Sequence, residues 1–271
     1  MEICFVTISH SSSHVEKLSL VLDSYAPEIP FFILENGESQ FDSLLNSRHR
    51  QIKSDNQGFG SAFNKILRIV RRQGFRYMVF VSHDSTPLES SIRKIQANYK
   101  EMSANFGIQK GSTSDDYSDG WVLDLIFGRT KKSCTGNSMG LRRNARYFFY
   151  PNYSFFVLDI RKHGDSMKMD ENYFLYWEDV DLHYHYMCMH SDFQIDDELK
   201  FDHSESIDIK GNSLVQDYYF TKSQIRFLYK NLKWSYFRVI LFCLIPKISL
   251  RILTGRWTSA GNILSAMLRP W

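Results

Sequence analysis

Three acidic residues directly follow a run of aromatic side chains, and their carboxylates could take part in proton transfer. Residues 173–177 are Tyr-Phe-Leu-Tyr-Trp, and Glu178, Asp179 and Asp181 come next. Acids are favoured in the first turn of a helix by its free N–H groups and its dipole, which accounts for two of the three. A carboxylate held at such an apolar edge is also a candidate general base. The sequence therefore predicts a helix from Glu178 to about His190 whose first turn carries a candidate base.

The aromatic residues before these acids have two interpretations. A run of this kind belongs more often to a protein core than to a platform that binds sugar. Tyr176 and Trp177 are the two aromatics nearest the acids. Either of them could still line a pocket for an acceptor.

Asp84 is a candidate metal ligand because of where it falls in the sequence. It comes just after the apolar run at residues 77–81 and is surrounded by Ser82, His83 and Ser85. One carboxylate alone is a poor metal site, but Mg²⁺ commonly takes one or two protein carboxylates together with substrate phosphates. The alternative is that Asp84 caps a helix that begins near Pro87. We expect a contact with a metal ion or a ribose.

A glycine-containing loop opens a helix after a strand. Its pattern is Asn56-x-Gly58-x-Gly60-x-x-x-Asn64. Glycines let the backbone approach a ligand closely, and the N–H groups of a helix N-terminus favour an anion. The alternative is a tight turn that contacts no ligand. The pattern leaves both open.

The histidines suggest zinc only at first sight. His183 and His185 are two positions apart on a predicted helix, so their rings point in different directions and do not favour a shared ion. His203 differs because it ends an apolar segment and begins a polar one. We expect His203 to be a ligand of metal or phosphate, or else an ordinary half-buried histidine.

Strand-like and helix-like segments alternate, which predicts an α/β fold with right-handed crossovers and a mostly parallel, Rossmann-like sheet flanked by helices. The sequence from 121 to 152 shows no clear pattern. The segments with strand character are residues 3–8, 31–34, 51–53, 77–81, 105–109, 153–158, 193–195 and 198–201. The helical patterns begin near residue 13 and include residues 41–45, 60–72, 88–101, 160–164 and 218–232.

Ligands bind beyond the carboxyl ends of parallel strands, at one edge of the sheet. Four polar or glycine-rich clusters follow predicted strands, and we expect them to converge on one crevice. They are Ser9-His10, Glu35-Asn36, the loop from Asn56 to Gly60, and Asp84.

The overall composition suits one large domain, or one domain with an appendage. The chain has 271 residues, of which 43% are hydrophobic, so a sizeable core can form. Four scattered cysteines without a C-x-x-C pair fit a reducing compartment. The first residues have neither a basic segment nor a cleavage-like site, so we expect no signal peptide.

The C-terminal part is basic and apolar. From Asp217 to the end there are nine Lys or Arg and one acid, a net charge of +8, while the rest of the chain carries −5. The apolar run at 239–245 is too short to span a bilayer and is followed by Pro246 and Lys247. We expect residues 214–271 to be amphipathic helices that lie on an anionic membrane surface. The alternative is a helix pair that packs on the domain or forms a homodimer contact.

Three motifs resemble those of a known family. Residues 56–64, NQGFGSAFN, are similar to its N-x-G-[FG]-G-x-x-x-N, and residues 81–87, VSHDSTP, are similar to L-[DN]-x-D-[ST]-x-P. Residues 174–182, FLYWEDVDL, are close to F-x-Y-x-E-D-x-D-L and are the most specific. Over about residues 3–230 the sequence resembles the inverting glycosyltransferases of family 2, in particular the bacterial rhamnosyltransferase-like members that build O-antigen and other surface polysaccharides.

The resemblance implies a GT-A-like fold and a role for each candidate residue. Asp179 would be the base that deprotonates the acceptor hydroxyl, and Glu178 and Asp181 would support it or position the acceptor. Asp84, assisted by His203, would bind Mg²⁺ or Mn²⁺ at the donor diphosphate. The donor or nucleotide contacts would be Thr7, Ser9, Glu35, Asn36, Asn56, Gly58, Gly60, Asn64 and Asp84. The catalytic domain would cover residues 1–213, with a nucleotide-binding half of about 1–110 and an acceptor half of about 111–213.

The implied function is sugar transfer, with rhamnose as the first choice, from a nucleotide-diphosphate sugar to a polyprenyl-linked oligosaccharide. The site of action would be the cytoplasmic face of the bacterial inner membrane, with the protein bound peripherally, and no nucleic-acid partner is expected. The alternative is a non-catalytic nucleotide-sugar or glycan-binding subunit, favoured by Ser82 where the family usually has Asp or Asn and by His185 where Arg is common. A methyltransferase is disfavoured because the glycine loop follows the third strand rather than the first.

Overall fold

The computed structural model describes residues 2–10, 12–37, 49–111, 117–133, 146–189, 193–203, 213–233 and 235–269. The helix predicted over residues 41–45 lies outside these ranges, as do His190 and part of the segment between residues 111 and 120.

The strands form two sheets. In chain order they are β1 (Ile3–Ser9), β2 (Phe31–Asn36), β3 (His49–Ser54), β4 (Tyr77–Val81), β5 (Ser85–Pro87), β6 (Ala104–Lys110), β7 (Tyr117–Ser118), β8 (Gly120–Asp124), β9 (Thr130–Ser133), β10 (Tyr147–Pro151), β11 (Phe155–Asp159) and β12 (Phe193–His203). The large sheet has the order β3-β2-β1-β4-β11-β6-β12-β5, and β7 pairs with β6. Its first four strands are all parallel, and β11 runs antiparallel between β4 and β6.

Helices cover both faces of this sheet. They are α1 (Ser12–Tyr25), α2 (Phe59–Arg72), α3 (Glu89–Asn98), α4 (Ile160–His163), α5 (Glu178–Met189), α6 (Ser213–Leu232), α7 (Ser235–Val239), α8 (Ile245–Leu253) and α9 (Trp257–Leu268). A 3₁₀ turn covers Tyr99–Glu101, and a π-helix covers Ile240–Leu244. The apolar side of α2 packs on one face of the sheet, and α1 and α3 pack on the other. The expected α/β architecture, consistent with a GT-A-like fold, is confirmed.

The central strands are the part of the fold that the sequence predicts best. β1, β2, β4 and β11 are buried along their whole length. Strands covered on both faces need apolar residues at every position, so they stand out as continuous hydrophobic runs. The boundaries predicted for β4 match the structure.

Two details differ from the prediction. The segments 193–195 and 198–201 are one strand, β12, which changes register against β6 between Ile195 and Lys200. Such an irregularity puts polar residues inside a strand and makes it resemble two. The region from 121 to 152 contributes β8, β9 and β10, a small antiparallel sheet.

The C-terminal helices begin with α6, which packs on the acidic segment, defined here as residues 170–181. Lys230 donates to Asp181 Oδ2 at 2.7 Å and to Asp170 Oδ2 at 3.0 Å. Ser223 Oγ donates to the carbonyl of Leu175 at 2.8 Å. The division predicted near residue 213 remains a prediction, but α6 is in direct contact with the motif-bearing part of the chain.

In the part of the chain that the structure describes, no helix combines the length and the apolar character needed to cross a membrane.

Lys230→Met tests the contact between α6 and the acidic segment. Removing the ammonium leaves Asp181, whose side chain is 3% exposed, buried without its cation. We expect the free energy of unfolding to fall by about 3 kcal/mol. Urea denaturation measures it, and the exposed Lys233→Met is the matched control, with an expected change within about 0.5 kcal/mol. Equal effects of the two variants would show that the ion pairs do not hold α6 in place.

Candidate functional site

Buried polar groups line the carboxyl ends of β1 and β2. These strands are in parallel register, with Ser9 opposite Glu35. Thr7, Glu35 and Asn36 are each at most 1% exposed. Thr7 Oγ1, Glu35 Oε2 and Asn36 Oδ1 have no hydrogen-bond partner in the described structure. Buried polar atoms are normally paired, so this edge offers unused donors and acceptors to a ligand.

The loop after β3 joins the same edge. Asn36 Nδ2 lies 3.4 Å from Asn56 Oδ1 and 3.3 Å from the carbonyl oxygen of Gly58. Asn56 Oδ1 also accepts a hydrogen bond from Gly58 N at 3.3 Å. Asn56 itself is exposed, so its side chain remains accessible from solvent. The structure therefore brings Asn36, Asn56 and Gly58 together.

Gly58 allows its backbone to lie close to the backbone of Phe174. Its φ is 96° and its ψ is 167°, a combination open in practice only to glycine. A Cβ here would lie 2.5 Å from the carbonyl oxygen of Phe174. The next residue, Phe59, donates its N–H to that same oxygen at 3.1 Å. The loop that opens α2 is thus packed against the backbone of the acidic segment.

Asn64 and Gly60 also contact the chain that leads into the acidic segment. Asn64 Nδ2 donates to the carbonyl of Met169 at 2.9 Å, and Asn64 Oδ1 accepts from Met169 N at 2.9 Å. A Cβ on Gly60 would lie 3.3 Å from Met169 Cβ. Both residues were predicted to contact the donor, and the structure places both against protein. Their contacts fasten α2 to residues 169–174.

Asp84 lies in a small polar cluster beyond β4. Its Oδ1 accepts from Ser82 Oγ at 2.6 Å and lies 3.5 Å from His203 Nδ1. His203 Nδ1 is also 3.0 Å from Ser85 Oγ. Residues 85–87 form β5 and α3 starts at Glu89, so Asp84 does not cap that helix. The sequence prediction that placed Asp84 and His203 in one site agrees with this geometry.

A divalent cation fits this cluster only with help from a substrate. Among the described residues, no group of three or more His, Cys, Asp or Glu could hold a metal ion. One carboxylate and one imidazole are too few for a closed protein site, but they match the open coordination that Mg²⁺ and Mn²⁺ show with phosphate substrates. Asp84 and His203 are the residues that would hold the ion.

A strained turn leads into α5. Tyr176 and Trp177 have φ values of 66° and 69°, in the left-handed region that non-glycine residues rarely adopt. Trp177 is 2% exposed, and its ring packs 5.3 Å from Phe227 and 5.7 Å from Phe220, both on α6. Tyr176 is half-buried beside Phe220. Trp177 therefore belongs to the core, and Tyr176 is the more accessible of the two predicted acceptor contacts.

Glu178 and Asp179 begin α5 without a cation. Burial raises the pKa of Asp179, although the N–H of Val180, which donates to its Oδ1 at 2.8 Å, acts the other way. Burial, and after it the neighbouring charge of Asp179, raises the pKa of Glu178. Glu178 Oε2 has no hydrogen-bond partner, and neither acid has a Lys or Arg partner among the residues the structure describes. A carboxylate with a raised pKa is a better proton acceptor.

Asp181 has a different environment. Besides Lys230, it accepts from Asn231 Nδ2 at 2.8 Å and from the Tyr173 hydroxyl at 3.2 Å. These contacts occupy both oxygens and keep the carboxylate in one place. Asp181 was predicted to support the base, and its contacts fit a structural support rather than proton transfer.

The two histidines of α5 do not share an ion. His183 is fully buried, and burial lowers its pKa to about 3, so its ring is neutral. His183 Nδ1 lies 3.1 Å from the Tyr153 hydroxyl. His185 lies 3.7 Å from Asp181 and is the more exposed of the two. The two rings therefore have different surroundings, His183 in the core and His185 beside Asp181.

Tyr153 lies between the end of β4 and helix α5, and it was not among the predicted site residues. It precedes β11, at the end of the sheet where β4 finishes, and Ser82 N donates to the neighbouring carbonyl of Ser154 at 2.7 Å. The pKa of Tyr153 is raised by burial and then by the charge of Asp179. Because the Tyr153 hydroxyl lies 3.1 Å from His183 Nδ1, α5 packs beside the end of the sheet where β4 finishes, next to the cluster around Asp84. Only the antiparallel pairing of β11 with β4 reveals this, because strand direction cannot be read from composition.

The comparisons with known proteins concern the fold. No protein-family model and no curated protein sequence matches this chain. The solved structure of S. aureus TarS 1–349 is similar over 100% of this chain and 81% of that chain, with a TM-score of 0.51 and 11% identity. A longer S. aureus TarS structure is similar over 84% of this chain and 44% of that chain, with a TM-score of 0.50 and 11% identity.

The chain shares its α/β fold with TarS, and this fold is consistent with a GT-A-like one. At 11% identity the likeness to TarS establishes the fold alone. A197 from STIV is also similar, over 75% of this chain and 86% of that chain, but its TM-score of 0.44 at 15% identity is too low to support an argument.

Gly58→Ala tests the contact between the glycine loop and the acidic segment. A methyl group would strain the backbone and push against the carbonyl of Phe174, so we expect a loss of roughly 3 kcal/mol in unfolding free energy. Gly74→Ala is the matched control, because Gly74 also has a positive φ, 86°, but nothing within 4 Å of the added Cβ. Its expected loss is about 1 kcal/mol. Chemical denaturation gives both values, and an equal loss would mean that the loop tolerates displacement.

Proposed function

We propose that this protein is a metal-dependent inverting glycosyltransferase that uses a nucleotide-diphosphate sugar. One set of contacts carries the proposal: Asp84 lies 3.5 Å from His203 beyond β4, and the Tyr153 hydroxyl, beside the same end of β4, lies 3.1 Å from His183 of α5, the helix whose first turn contains Asp179. A transferase of this kind needs one group that neutralises the leaving diphosphate and another that accepts a proton from the attacking hydroxyl.

The nucleotide would lie over the carboxyl ends of β1 and β2. Thr7, Glu35 and Asn36 have buried polar atoms without partners there, and a base or ribose has complementary donors and acceptors. Ser9, opposite Glu35, and the exposed side chain of Asn56 complete this side of the crevice. A position at the carboxyl edge of a parallel sheet is the usual one for a nucleotide.

Asp84 and His203 would hold Mg²⁺ or Mn²⁺ next to the diphosphate. The ion, when bound, would supply positive charge that stabilises the leaving nucleoside diphosphate. Ser82 Oγ, which donates to Asp84 Oδ1, fixes the orientation of that carboxylate.

Asp179 would act as the general base. Its raised pKa makes it basic enough to accept the proton of an acceptor hydroxyl while still being ionised near neutral pH. Attack from the side opposite the leaving diphosphate inverts the anomeric carbon. Glu178, whose pKa is raised by burial and then by the charge of Asp179, would support the base from the adjacent position.

The identities of the sugar, the acceptor and the polysaccharide are also part of this proposal. The resemblance to rhamnosyltransferase-like members of family 2 suggests rhamnose as the sugar and a polyprenyl-linked oligosaccharide as the acceptor, in the synthesis of O-antigen or another surface polysaccharide. Such an acceptor would place the protein at the cytoplasmic face of the inner membrane.

A second function has one observation in its favour. Ser82 stands where the family usually has an acid or Asn, so the cluster around Asp84 contains a single carboxylate. A non-catalytic subunit that binds a nucleotide sugar or a glycan would need no stronger metal site. Product formation by the purified protein would distinguish an enzyme from such a subunit.

Asp84→Ala tests the metal assignment. Calorimetric titration with a panel of nucleotide-diphosphate sugars, including dTDP-rhamnose, should show binding that Mn²⁺ or Mg²⁺ strengthens in the wild type. We expect the variant to lose this metal-dependent gain, because His203 alone cannot hold the ion. Asp165→Ala, at an exposed carboxylate that pairs with Arg71, is the control and should bind like the wild type. A variant at Asp84 that keeps the full metal effect would contradict the assignment.

Asp179→Asn tests the base. An amide cannot accept the proton, so we expect sugar transfer to fall by about 10²- to 10⁴-fold while donor binding is kept. In the wild type, the rate should rise with pH through a pKa above the ordinary carboxyl range, because the active form is the deprotonated one. Asp197→Asn, at an exposed carboxylate, is the control. Transfer at the wild-type rate in Asp179→Asn would exclude this residue as the base.

A further inference from the structure

Exposed apolar side chains are concentrated in the C-terminal helices. Among the described residues, 14 large hydrophobic side chains are exposed, and 13 of them lie between Leu214 and Leu268. The exception is Leu20 on α1. Phe237, Leu253 and Trp257 are 68%, 83% and 66% exposed. Such a concentration of exposed apolar side chains in one part of the chain is typical of an interaction surface.

The helices that follow α6 carry positive charge and no negative charge. Residues 235–269 contain five Lys or Arg and no Asp or Glu. Lys247 and Arg251 both pair with Asp217 of α6. Arg238, Arg256 and Arg269 are exposed and have no ion pair among the residues the structure describes. We call the exposed side chains of residues 237–269 the tail face.

The tail face is held in place by buried contacts on its other side. Asp217 accepts hydrogen bonds from Ser259 and Arg251, which joins α6 to α8 and α9. Val239, Leu244 and Ile263 are fully buried. The apolar residues that remain exposed are therefore those left over after the helices have packed. They are a surface of the folded protein rather than an unfolded tail.

The tail face is also connected to the small sheet. A Cβ on Gly128, in the turn between β8 and β9, would lie 2.9 Å from Val239 Cγ2. Arg129 donates to the carbonyl of Phe242 at 3.2 Å. β8 pairs with β10, and the pKa of Tyr150 on β10 is raised by burial and by the charge of Asp179. A surface bound to the tail face would thus have a fixed orientation relative to Asp179.

We propose that the tail face docks on an anionic lipid bilayer, with α7, the π-helix, α8 and α9 lying in the plane of the interface. Exposed Trp, Phe and Leu beside arginines are the composition of interfacial helices. A second copy of the chain fits less well, because a symmetric dimer through this face would bring its cations against the same cations. Docking on the bilayer does not depend on the function proposed above. The suggestion that the acceptor is lipid-linked does rest on that function.

Vesicle flotation tests the docking. The probes are vesicles of phosphatidylcholine with 30% phosphatidylglycerol (roughly the anionic content of a bacterial membrane), and vesicles of phosphatidylcholine alone. The wild type should float with the anionic vesicles. Phe237→Ser, Leu253→Ser and Trp257→Ser combined should weaken this binding at least about tenfold. Leu20→Ser is the matched control, because it removes an equally exposed apolar side chain from α1, and it should float like the wild type.

A second variant measures how much the arginines contribute to vesicle binding, apart from the apolar side chains. Arg238→Gln, Arg256→Gln and Arg269→Gln combined should lower affinity for the anionic vesicles by about fivefold per arginine, and should change affinity for the neutral vesicles little. Circular dichroism would check that each variant remains folded.

Three results would overturn the proposal: no flotation of the wild type, equal flotation of the Phe237, Leu253 and Trp257 variant, or a wild-type dimer that the same variant splits into monomers without any vesicle binding. Nucleotide-sugar titration without vesicles keeps this test apart from the proposed function. Variants of the tail face should bind the donor like the wild type, so loss of flotation with normal donor binding concerns docking alone.

Discussion

The structure depends on one lysine that neutralises two acids. Lys230 pairs with both Asp170 and Asp181, and so holds the two ends of the acidic segment against α6. Although burial acts the other way, hydrogen bonds from Asn172 and the pair with Lys230 lower the pKa of Asp170 to about 2. Asp179, two residues before Asp181, has no such partner among the described residues, and its pKa is raised instead. Asp170 and Asp179, two carboxylates of the same acidic segment, thus have pKa values that their surroundings shift in opposite directions.

Two motifs that are far apart in sequence form one structural unit. The loop from Asn56 to Asn64 contacts residues 169–174 through Gly58, Phe59 and Asn64. On the other side, Ser223 and Phe227 of α6 hold the turn at Tyr176 and Trp177. A left-handed conformation in two aromatic residues costs about 1–3 kcal/mol each and persists only where packing enforces it. The glycine loop and α6 supply that packing, so the position of Asp179 is set from both sides.

Much of the fold and of the candidate site could be predicted from the sequence. The elements and contacts that could not be predicted were missed for physical reasons. Buried strands such as β4 are evident as continuous apolar runs, and polar residues after parallel strands converge by geometry, as Glu35 and Asn56 do. The small sheet was missed because its strands are short, and β9 is largely exposed, so no periodicity marks them. The contact of Asn64 with the backbone of Met169 could not be predicted either, because the two residues are 105 positions apart in the sequence.

The basic residues of the C-terminal segment fall into two groups, those that pair with acids of the protein and those left for other partners. The net charge alone does not distinguish the two groups. Of its nine Lys and Arg, Arg226 and Lys230 face the acids of the acidic segment, and Lys247 and Arg251 face Asp217. These four form ion pairs within the protein, and the pairs hold helices together. The other five have no ion pair in the part of the chain that the structure describes, and they are the ones available to an anionic surface. A net charge of +8 therefore overstates the electrostatic attraction to such a surface, while the apolar side chains left exposed after packing add to it.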